Sequence, residues 1–287
     1  MSMSNGPLLR VSGPAYPCPG ENGPTGRSSG PFHTMHLTLY LTDEGTEMTK
    51  LRASAREALQ DVVKDGMTIA VGGFGLSGNP FGLIDALRDT GARDLTIVSN
   101  NMGTDGFGLG ILLESKQVRR VIASYVGENK LFARQYLDGE IEVDLTPQGT
   151  LAERLRAGGA GIPAFYTPTG FGTPAAEGKP TAEFDGKHCV LERAIVADIG
   201  LVHAHTADAE GNLRYRYTSQ NFNPLAAMSG RTTIVEAEII LQGSYIEPDS
   251  VMTPGIFVHR IIQADPDRKP IEKHTVRQPA GQPAQEA

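Results

Sequence analysis

Cysteine is scarce in this sequence of 287 residues, in which only Cys18 and Cys189 occur. Two cysteines cannot form the disulfide framework that holds small secreted domains together, and they suit a reducing compartment better. The sequence also lacks a cluster of cysteine and histidine residues with the spacing of a structural metal site. We therefore expect a cytoplasmic protein with no disulfide framework and no bound metal.

Long apolar runs and basic runs are missing as well. No apolar stretch approaches the roughly 20 residues that are needed to span a bilayer. The formal net charge is −7, and no run of basic residues is long enough to form a patch for a membrane surface or a nucleic acid. These absences predict that neither a membrane nor a nucleic acid is a partner.

Both ends of the chain lack the periodic apolar pattern of a folded domain. Residues 1–47 contain seven glycines and six prolines, no apolar segment of the signal-peptide type, and only two basic residues, both arginine. The tail contains "DPDRKP" and "RQPAGQPAQEA". These compositions predict disordered extensions at 1–47 and 264–287 around a domain at 48–263. Met48, which precedes a helical pattern, is a second candidate for the translation start.

Between these ends, short apolar segments alternate with helical patterns. The strand-like segments are "MTIAVGGF", "LTIVSNN", "VRRVIASYV", "IEVDLTPQG" and "TTIVEAEII", and "CVLERAIVADIGLVHAHTAD" contains two more. The helical patterns are "KLRASAREALQDVV", "PFGLIDALRDTG", "GLGILLESKQ", "NKLFARQYLDG" and "TLAERLRAGG". This alternation predicts an α/β fold with an open, mostly parallel sheet and helices on both faces.

The glycine-rich stretch "MTIAVGGFGLSGNPFGLIDAL" contains the spacing GxGxxG at Gly73, Gly75 and Gly78. Glycines at this spacing, between a strand and a helix, allow a tight turn that brings the backbone close to a ligand. Dinucleotide binding also requires an acidic residue at the end of the next strand, where this sequence has Asn100 and Asn101. The residues alone leave three alternatives open: a nicotinamide dinucleotide, another acyl or phosphate-bearing ligand, or a turn without a ligand.

The stretch "DGMTIAVGGFGLSGNP", at 65–80, resembles the first signature of the family I CoA-transferases, which combines an acidic-glycine pair, an apolar triplet, Gly-Gly-Phe and Gly-x-Pro. The likeness continues through "DLTIVSNNMGTDGFGLGILLESKQ", "SYVGENK", "RQYLDGEIEVDLTPQGTLAERLRAGGAGIPAFYTPTGFGT" and "TPGIFVHRII", and covers residues 48–262. It implies the open α/β sheet of that family, which is similar to the NagB/RpiA fold, and a CoA-ester site at the glycine loop. Within the family, "SYVGENK" and "ERLRAGGAGIPAFYT" favour the branch that uses succinyl-CoA and a 3-oxo acid over the 3-oxoadipate branch.

The resemblance implies catalysis by a glutamate that attacks the CoA thioester and forms a glutamyl-CoA thioester by way of a mixed anhydride. In the family this glutamate lies in a Ser-Glu-Asn-Gly motif on the B subunit. The present sequence lacks that motif, because "PGENGP", with Glu21, and "VGENK", with Glu128, match it only in part. We interpret Glu21 as part of the leader and Glu128 as a helix start, where a carboxylate interacts favourably with the helix dipole.

The resemblance therefore implies the non-nucleophilic A subunit of a CoA-transferase, active only with the B subunit and assembled as α2β2. Coenzyme A enters as a substrate, and no cofactor is implied. The expected reaction moves CoA from succinyl-CoA to a 3-oxo acid such as acetoacetate. The A subunit of a CoA-transferase for 3-oxoadipate, or for acetate and butyrate, is an alternative within the family, because these enzymes share the same motifs. A nicotinamide-dependent oxidoreductase and an inactive binding module are alternatives from other classes.

The resemblance also indicates the site residues. The glycine loop is expected to contact CoA through Gly72, Gly73, Phe74, Gly75, Leu76, Ser77 and Gly78. The neutral amides of Asn100, Asn101 and Gln148 are expected to bind the carboxylate of the acid substrate, since an amide donates a hydrogen bond without adding a cation. Tyr125 is a weaker candidate of the same kind. The alternative for the asparagines is the capping of local turns. For "GGAGIPAF", at 158–165, a loop near the site and a plain turn are equally open.

Two further features lie outside this expected site. His203 and His205 alternate on a predicted strand and can share one face, but a metal pair would need a third ligand, so we favour a structural role. The segment "RYRYTSQNFN" departs from the family pattern, which usually has an arginine where Gln220 stands. The contacts that such an arginine would make are not expected in this chain.

Overall fold

The computed structural model describes residues 50–265, 267–268 and 270. The predicted extension at 1–47, which includes Cys18 and Glu21, lies outside the described residues, as do Met48 and most of the predicted tail at 264–287. No helix among the described residues is both long enough and apolar enough to cross a membrane.

Six α-helices and eleven β-strands make up the described chain. The α-helices are α1 (Ala55–Leu59), α2 (Phe81–Thr90), α3 (Gly110–Glu114), α4 (Lys130–Leu137), α5 (Gln148–Gly159) and α6 (Asn223–Ser229). The strands are β1 (Thr68–Val71), β2 (Leu95–Val98), β3 (Val118–Ala123), β4 (Glu142–Leu145), β5 (Ala164–Thr167), β6 (Thr181–Phe184), β7 (Lys187–Arg193), β8 (Ala197–Asp208), β9 (Leu213–Arg214), β10 (Gly230–Leu241) and β11 (Arg260–Gln263). Strands and helices alternate from β1 to α5, as the sequence pattern predicts.

Seven of the strands form a parallel sheet in the order β11-β10-β8-β1-β2-β3-β4. Each neighbouring pair in that order is parallel, and Ile69 of β1, for example, lies between Ile97 of β2 and Ile199 of β8. The short strand β9 adds to β8 in the antiparallel direction. The strand order reverses at β1, since β2 to β4 follow on one side and β8 lies on the other. The prediction of an open, mostly parallel sheet is confirmed.

Helices pack on both faces of this sheet. Ile69 and Val71 of β1 point into a core that also contains Leu83 of α2 and Phe132 of α4. Ala70, the residue between them, points to the opposite face, where the core contains residues of α5 and α6. Successive side chains of a strand point to opposite faces. The continuous apolar runs in the sequence therefore reflect strands that are buried on both sides.

Helix α2 begins and ends where its sequence indicates. Pro80 is the N-cap, and Gly91 caps the carboxyl end in a left-handed conformation with a φ of 71°. Proline cannot cap through its side chain, and Glu236 of β10 takes that role. Its carboxylate accepts hydrogen bonds from the N–H groups of Leu83, at 2.9 Å, and Gly82. A carboxylate at this end of a helix interacts favourably with the helix dipole.

Burial raises the pKa of the Glu236 carboxyl from 4.5 to about 7, although the hydrogen bonds from Leu83 and Gly82 and the nearby Arg268 lower it. Because the folded pKa is higher than the unfolded value, the stabilisation from this group is complete below pH 4.5 and is lost as the pH rises through about 7. By the size of this shift, ionising the carboxyl in the folded protein costs roughly 3 kcal/mol.

We expect Glu236→Gln to remove most of this pH dependence. Glutamine keeps a carbonyl oxygen that can accept from the Leu83 N–H, and it carries no charge at any pH. Between about pH 5 and about pH 8, the fall in the free energy of unfolding should be smaller in the variant by roughly 3 kcal/mol. Chemical denaturation of both proteins across this range measures the difference. Parallel pH profiles would contradict the role given to Glu236.

Helix α1 is shorter than the sequence predicts. The pattern "KLRASAREALQDVV" predicts a helix from Lys50, whereas the helix spans Ala55–Leu59. Ser54 is its N-cap, with Oγ accepting from an N–H of the first turn at 3.2 Å. Leu51 instead pairs with Ile261 of β11 in the parallel direction. The predicted start is wrong because the apolar residue before the cap belongs to an extended segment beside the sheet.

A second, three-stranded sheet is antiparallel and has the order β5-β7-β6. Of the two β segments predicted in "CVLERAIVADIGLVHAHTAD", the first lies in this small sheet and the second is β8 of the parallel sheet. Glu192 of β7 is buried, and its carboxylate pairs with Lys179 at 2.7 Å and with Arg154 of α5 at 4.0 Å. Strands β5 and β6 were not predicted, and their side chains are half-buried or exposed, unlike those of β1 and β2.

The chain continues to contact the parallel-sheet region just beyond β11. Ala264 is buried, and its N–H donates to the carbonyl of Ala237 at 2.8 Å. Arg268 forms an ion pair with Asp85 of α2 and lies over the ring of Phe81. These two contacts connect residues of the predicted tail to β10 and α2.

Candidate active site

The four segments expected to bind substrates follow four consecutive strands of the parallel sheet. The glycine loop, Gly72 to Gly78, follows β1, and Asn100 and Asn101 follow β2. Tyr125 follows β3, and Gln148 follows β4 as the first residue of α5. Because β1 to β4 are parallel neighbours, their carboxyl ends lie at one edge of the sheet, which is the usual ligand edge of an open α/β fold.

The glycine loop is built around a tight two-residue turn. Phe74 and Ser77 exchange two backbone hydrogen bonds, of 3.0 and 2.9 Å, across Gly75 and Leu76. Gly75 has a φ of 58°, which favours glycine. The N–H of Gly72 donates to the carbonyl of Leu201 on β8 at 2.9 Å. Several backbone donors of the loop therefore hold its own shape.

Neighbouring side chains explain why three other positions in this stretch are glycine. A Cβ atom at Gly72 would overlap the side-chain oxygen of Asn223, and one at Gly73 would overlap the side-chain oxygen of Asn79. At Gly78 it would come within 2.6 Å of the Ser219 carbonyl oxygen. Only glycine leaves room for these protein atoms, so the GxGxxG spacing is required by packing inside the protein. A ligand is not needed to account for it.

Two asparagines from beyond β9 hold the loop. The side-chain oxygen of Asn221 accepts from the N–H of Gly73 at 3.1 Å, and its Nδ2 donates to the carbonyl of Ser77 at 3.0 Å. Asn223, the first residue of α6, is fully buried, and its Nδ2 donates to the carbonyl of Gly78 at 2.9 Å. Its side-chain oxygen accepts from the N–H of His203 on β8 at 2.8 Å. These bonds join the loop to the other half of the sheet.

Asn79, Asn221 and Asn223, which support the loop, were not predicted from the sequence. In "SQNFN" only the departure at Gln220 stands out, and the two asparagines that follow it carry no recognisable signal. Asparagine next to proline or in a glycine-rich turn is so often a local cap that its spacing gives no specific signal. A contact across about 145 positions of the chain can be found only in the folded structure.

The buried asparagines after β2 combine local and longer bonds. The Nδ2 of Asn100 donates to the Ser124 hydroxyl, after β3, at 2.8 Å. The side-chain oxygen of Asn101 accepts from the N–H of Gly103 at 3.2 Å, which is a turn-capping contact of the kind that the sequence leaves open. The two side chains are thus fixed in place at the strand ends. Their role in binding a carboxylate stays a prediction.

Gln148 and the glycine loop line the same cavity. A cavity of about 300 Å³ is lined by Phe74, Gln148, Asn221 and three residues of α5 and α6, among others. A neighbouring cavity of about 650 Å³ shares Phe74 and Asn221 with it and extends to Tyr217 and Gln220. The fold thus brings two of the predicted site residues, Phe74 and Gln148, to a common space.

Aromatic side chains project from this edge into solvent. Phe74 is 47% exposed, Tyr125 is 49% exposed and Tyr217 is 83% exposed. Tyr217 also has a φ of 50°, a left-handed conformation that is uncommon for a bulky residue. The guanidinium of Arg216 lies 5.2 Å from the centre of its ring. Phe74 and Tyr217 both line the larger cavity, and exposed apolar groups beside a cavity are typical of surfaces that bind a substrate or another protein.

Glu128 does not begin a helix, and that prediction is wrong. The N-cap of α4 is Asn129, whose side-chain oxygen accepts from the N–H of Phe132 at 2.8 Å. Glu128 precedes it with a φ of 69°, outside the helix. The carboxylate at this helix start comes from Asp105, which accepts from the N–H of Leu131 at 3.1 Å. Asparagine in "GENK" is the better cap because its short side chain reaches forward to an N–H group of the first turn.

The segment "GGAGIPAF" lies at the far end of α5 from Gln148. Gly158 and Gly159 are the last residues of that 12-residue helix, so they lie roughly 16 Å along its axis from Gln148. A Cβ at Gly158 would overlap the carbonyl of Ile195, and one at Gly159 would come within 2.6 Å of Met228. Packing of the helix end explains these glycines, which favours the plain turn over a loop near the site.

His203 and His205 share one face of β8 and one partner. The Nε2 of His203 lies 3.1 Å from one carboxylate oxygen of Glu238, and the Nδ1 of His205 lies 3.0 Å from the other. Glu238 is on the neighbouring strand β10. Within the part of the chain that the structure describes, no group of three or more histidine, cysteine, aspartate or glutamate side chains is arranged to hold a metal ion. The arrangement supports the structural role that the sequence favours.

Comparison with known proteins agrees with this architecture. The family profile described as "Coenzyme A transferase" matches residues 52–264, which include the complete parallel sheet and every residue of the candidate site. The chain belongs to the coenzyme A transferase family. The family resemblance seen in the sequence is confirmed.

Curated relatives of the transferase agree in their names. A protein of Xanthomonas campestris pv. campestris (strain B100), named as the A subunit of succinyl-CoA:3-ketoacid coenzyme A transferase, is 59% identical over 80% of this chain and 95% of its own length. A Bacillus subtilis protein with the same name, qualified as probable, is 54% identical over 82% of this chain and 98% of its own. The protein of that name from Helicobacter pylori (strain J99) is 55% identical over 80% of this chain and 99% of its own length.

Solved structures show the same fold. An acyl-CoA transferase from E. coli, determined as a thioester complex with CoA, has a TM-score of 0.68 and 25% identity over 77% of this chain. The transferase spans about half of that chain, 48% of its length. Glutaconate coenzyme A-transferase from Acidaminococcus fermentans has a TM-score of 0.66 and 19% identity over 75% of each chain, which shows the fold alone.

Proposed function

We propose that this chain is the A subunit of a two-subunit transferase that moves CoA from succinyl-CoA to a 3-oxo acid such as acetoacetate. The observation that carries the proposal is the set of neutral amides at the carboxyl ends of two strands of the parallel sheet: Asn100 and Asn101 follow β2, and Gln148 follows β4. They lie beside the glycine loop of a CoA-transferase fold. Relatives that are 54% to 59% identical bear the corresponding name.

The amides suit the binding of a substrate carboxylate. An amide N–H donates to a carboxylate oxygen and carries no charge that would hold a nucleophilic carboxylate in an ion pair. Gln148 is exposed at the start of α5, so its side chain can turn into the cavity that it shares with Phe74. Backbone N–H groups in the first turn of the same helix favour an anion there.

The partner subunit is proposed to supply the nucleophilic glutamate and to cover the aromatic edge. The sequence contains no Ser-Glu-Asn-Gly motif. Glu128, which stands in the partial match that the described residues contain, is exposed and precedes α4 in a left-handed conformation. The exposed rings of Phe74, Tyr125 and Tyr217 lie on the surface that such a partner would face. In this proposal, coenzyme A is a substrate and no further cofactor takes part. The family resemblance suggests an α2β2 assembly. The scarcity of cysteine fits a cytoplasmic location.

Assays with different acids test the substrate. The chain is co-purified with its partner subunit, and CoA transfer from succinyl-CoA is measured to acetoacetate, 3-oxoadipate, acetate and butyrate. We expect acetoacetate to have the highest kcat/KM. A clear preference for 3-oxoadipate, or for acetate and butyrate, would assign the enzyme to the corresponding branch of the family and contradict the proposed substrate.

Ligand-dependent stability tests the class of ligand. Saturating succinyl-CoA, at about 100 times its Kd, should stabilise the assembled protein by about 2.7 kcal/mol, which is visible as a higher melting temperature. NADH at the same concentration should leave the melting temperature unchanged, since Asn100 stands where a dinucleotide site needs an acidic residue. Stabilisation by NADH and not by succinyl-CoA would favour an oxidoreductase.

A further inference from the structure

The glycine loop is attached to the rest of the protein on both sides of its turn. The loop closes on itself only at the tip, through the two bonds between Phe74 and Ser77. The side chain of Asn221 forms a hydrogen bond on each side of this tip. It accepts from the N–H of Gly73, just before the tip, and donates to the carbonyl of Ser77, the last residue of the tip. One side chain therefore fixes both ends of the turn that carries Phe74.

Asn221 is itself held in place by its own segment. Its side-chain oxygen also accepts from the N–H of Phe222 at 2.7 Å, and its Nδ2 also donates to the carbonyl of Thr218 at 2.9 Å. Asn223, two residues later, anchors the segment to β8 through the N–H of His203. The position of the loop thus depends on a turn that lies about 145 residues away in the sequence.

The same residue lies at the boundary of both cavities beside the loop. Phe74 and Asn221 line the cavity of about 300 Å³ that contains Gln148, and they also line the cavity of about 650 Å³ next to it. A shift of the loop would move the exposed ring of Phe74 in both spaces. A displacement of about 1 Å at a group that orients a substrate can lower a rate by about a hundredfold.

We propose that Asn221 is a positioning residue for CoA transfer, which acts by holding the glycine loop where it meets the acyl-CoA. This inference rests on the proposed function, in which that loop contacts the CoA ester. Asn221 need not touch the substrate, because its effect passes through the backbone of Gly73 and Ser77. Asn223 supports the same loop, but it is fully buried, and its replacement would disturb folding. Asn221 is only partly buried, so it is the residue to change.

The test compares Asn221→Ala with Gln263→Ala in the complex with the partner subunit. Gln263, on the edge strand β11, is a matched control, because its Nε2 also donates to backbone carbonyls, those of Ala237 at 3.1 Å, Glu238 at 2.9 Å and Ala264 at 3.4 Å. We expect Asn221→Ala to lower kcat/KM for succinyl-CoA at least tenfold. Gln263→Ala should change kcat/KM for succinyl-CoA less than twofold, although its melting temperature should fall about as much as that of Asn221→Ala.

Hydrogen exchange separates a positioning role from a general loss of stability. Peptides that cover residues 72–78 should exchange faster in Asn221→Ala and at the wild-type rate in Gln263→Ala. Asn221→Asp keeps the acceptor for the Gly73 N–H but sets a carboxylate oxygen against the carbonyls of Ser77 and Thr218, so it should lose kcat/KM as Asn221→Ala does. Faster exchange of the loop with unchanged kcat/KM, or equal kinetic losses in the control, would overturn the inference.

The choice of CoA donor separates this inference from the proposed function. The kinetics are measured with whichever acyl-CoA the wild-type complex uses best. Failure to use succinyl-CoA would contradict the proposed substrate and leave the comparison of variants intact. Normal use of succinyl-CoA by both the wild type and Asn221→Ala would contradict the positioning role and leave the proposed function intact.

Discussion

The isolated chain is expected to transfer no CoA, and the addition of its partner subunit should produce full activity. In the proposed mechanism, the reaction needs a carboxylate nucleophile. The sequence contains no Ser-Glu-Asn-Gly motif, and the edge that carries the glycine loop presents amides and aromatic rings. The effect is all-or-none, since each site would combine binding groups from this chain with a glutamate from the other.

Trapping the intermediate locates the nucleophile. Incubation of the complex with succinyl-CoA and no acceptor should leave a CoA thioester on a glutamate of the partner subunit. Borohydride or hydroxylamine then modifies that glutamate, and mass spectrometry identifies the peptide. Glu128→Gln should retain most of the activity, because Glu128 lies outside α4, in the segment before its cap. An adduct on any glutamate of this chain, or full activity without the partner, would overturn the division of roles.

Replacement of Gln148 by alanine should mainly impair the use of the free acid. The side chain would donate one or two hydrogen bonds to a carboxylate, each worth about 1.5–3 kcal/mol because one partner is charged. This corresponds to a roughly ten- to hundredfold loss in kcat/KM for acetoacetate per bond. Steady-state kinetics with acetoacetate as the varied substrate measure the loss.

Asn101→Ala should have a similar effect, together with some loss of stability. Its side-chain oxygen caps the turn at Gly103, so the variant tests the binding role and the capping role together. Gln60→Ala is a matched control for Gln148→Ala, since Gln60 is an exposed glutamine at the end of α1 that lines a different cavity. If Gln148→Ala and Asn101→Ala both show control-level kinetics, these amides serve the fold alone.

The sequence by itself determined the order and type of the elements from β1 to α5, whereas α6 and β11 were not predicted. Short apolar runs predicted the strands, and β1 and β2, where such runs occur, are buried. Proline and glycine at the two ends of α2 predicted its limits, because their backbone preferences act within one or two residues. The signature at 65–80 also identified the family, because its residues are contiguous in the sequence and can be recognised without the fold.

Tertiary structure alone decided what the glycines and asparagines do. Gly72, Gly73 and Gly78 leave room for atoms of Asn223, Asn79 and Ser219, and two of these three partners lie about 140 to 150 residues further along the chain. Likewise, Glu236 caps a helix that begins 155 residues before it, and Leu51 pairs with Ile261 where a helix was predicted. Local periodicity and capping patterns extend over a few residues, whereas these contacts form only when distant strands come together. The position of the glycine loop is therefore set by contacts between distant parts of the chain.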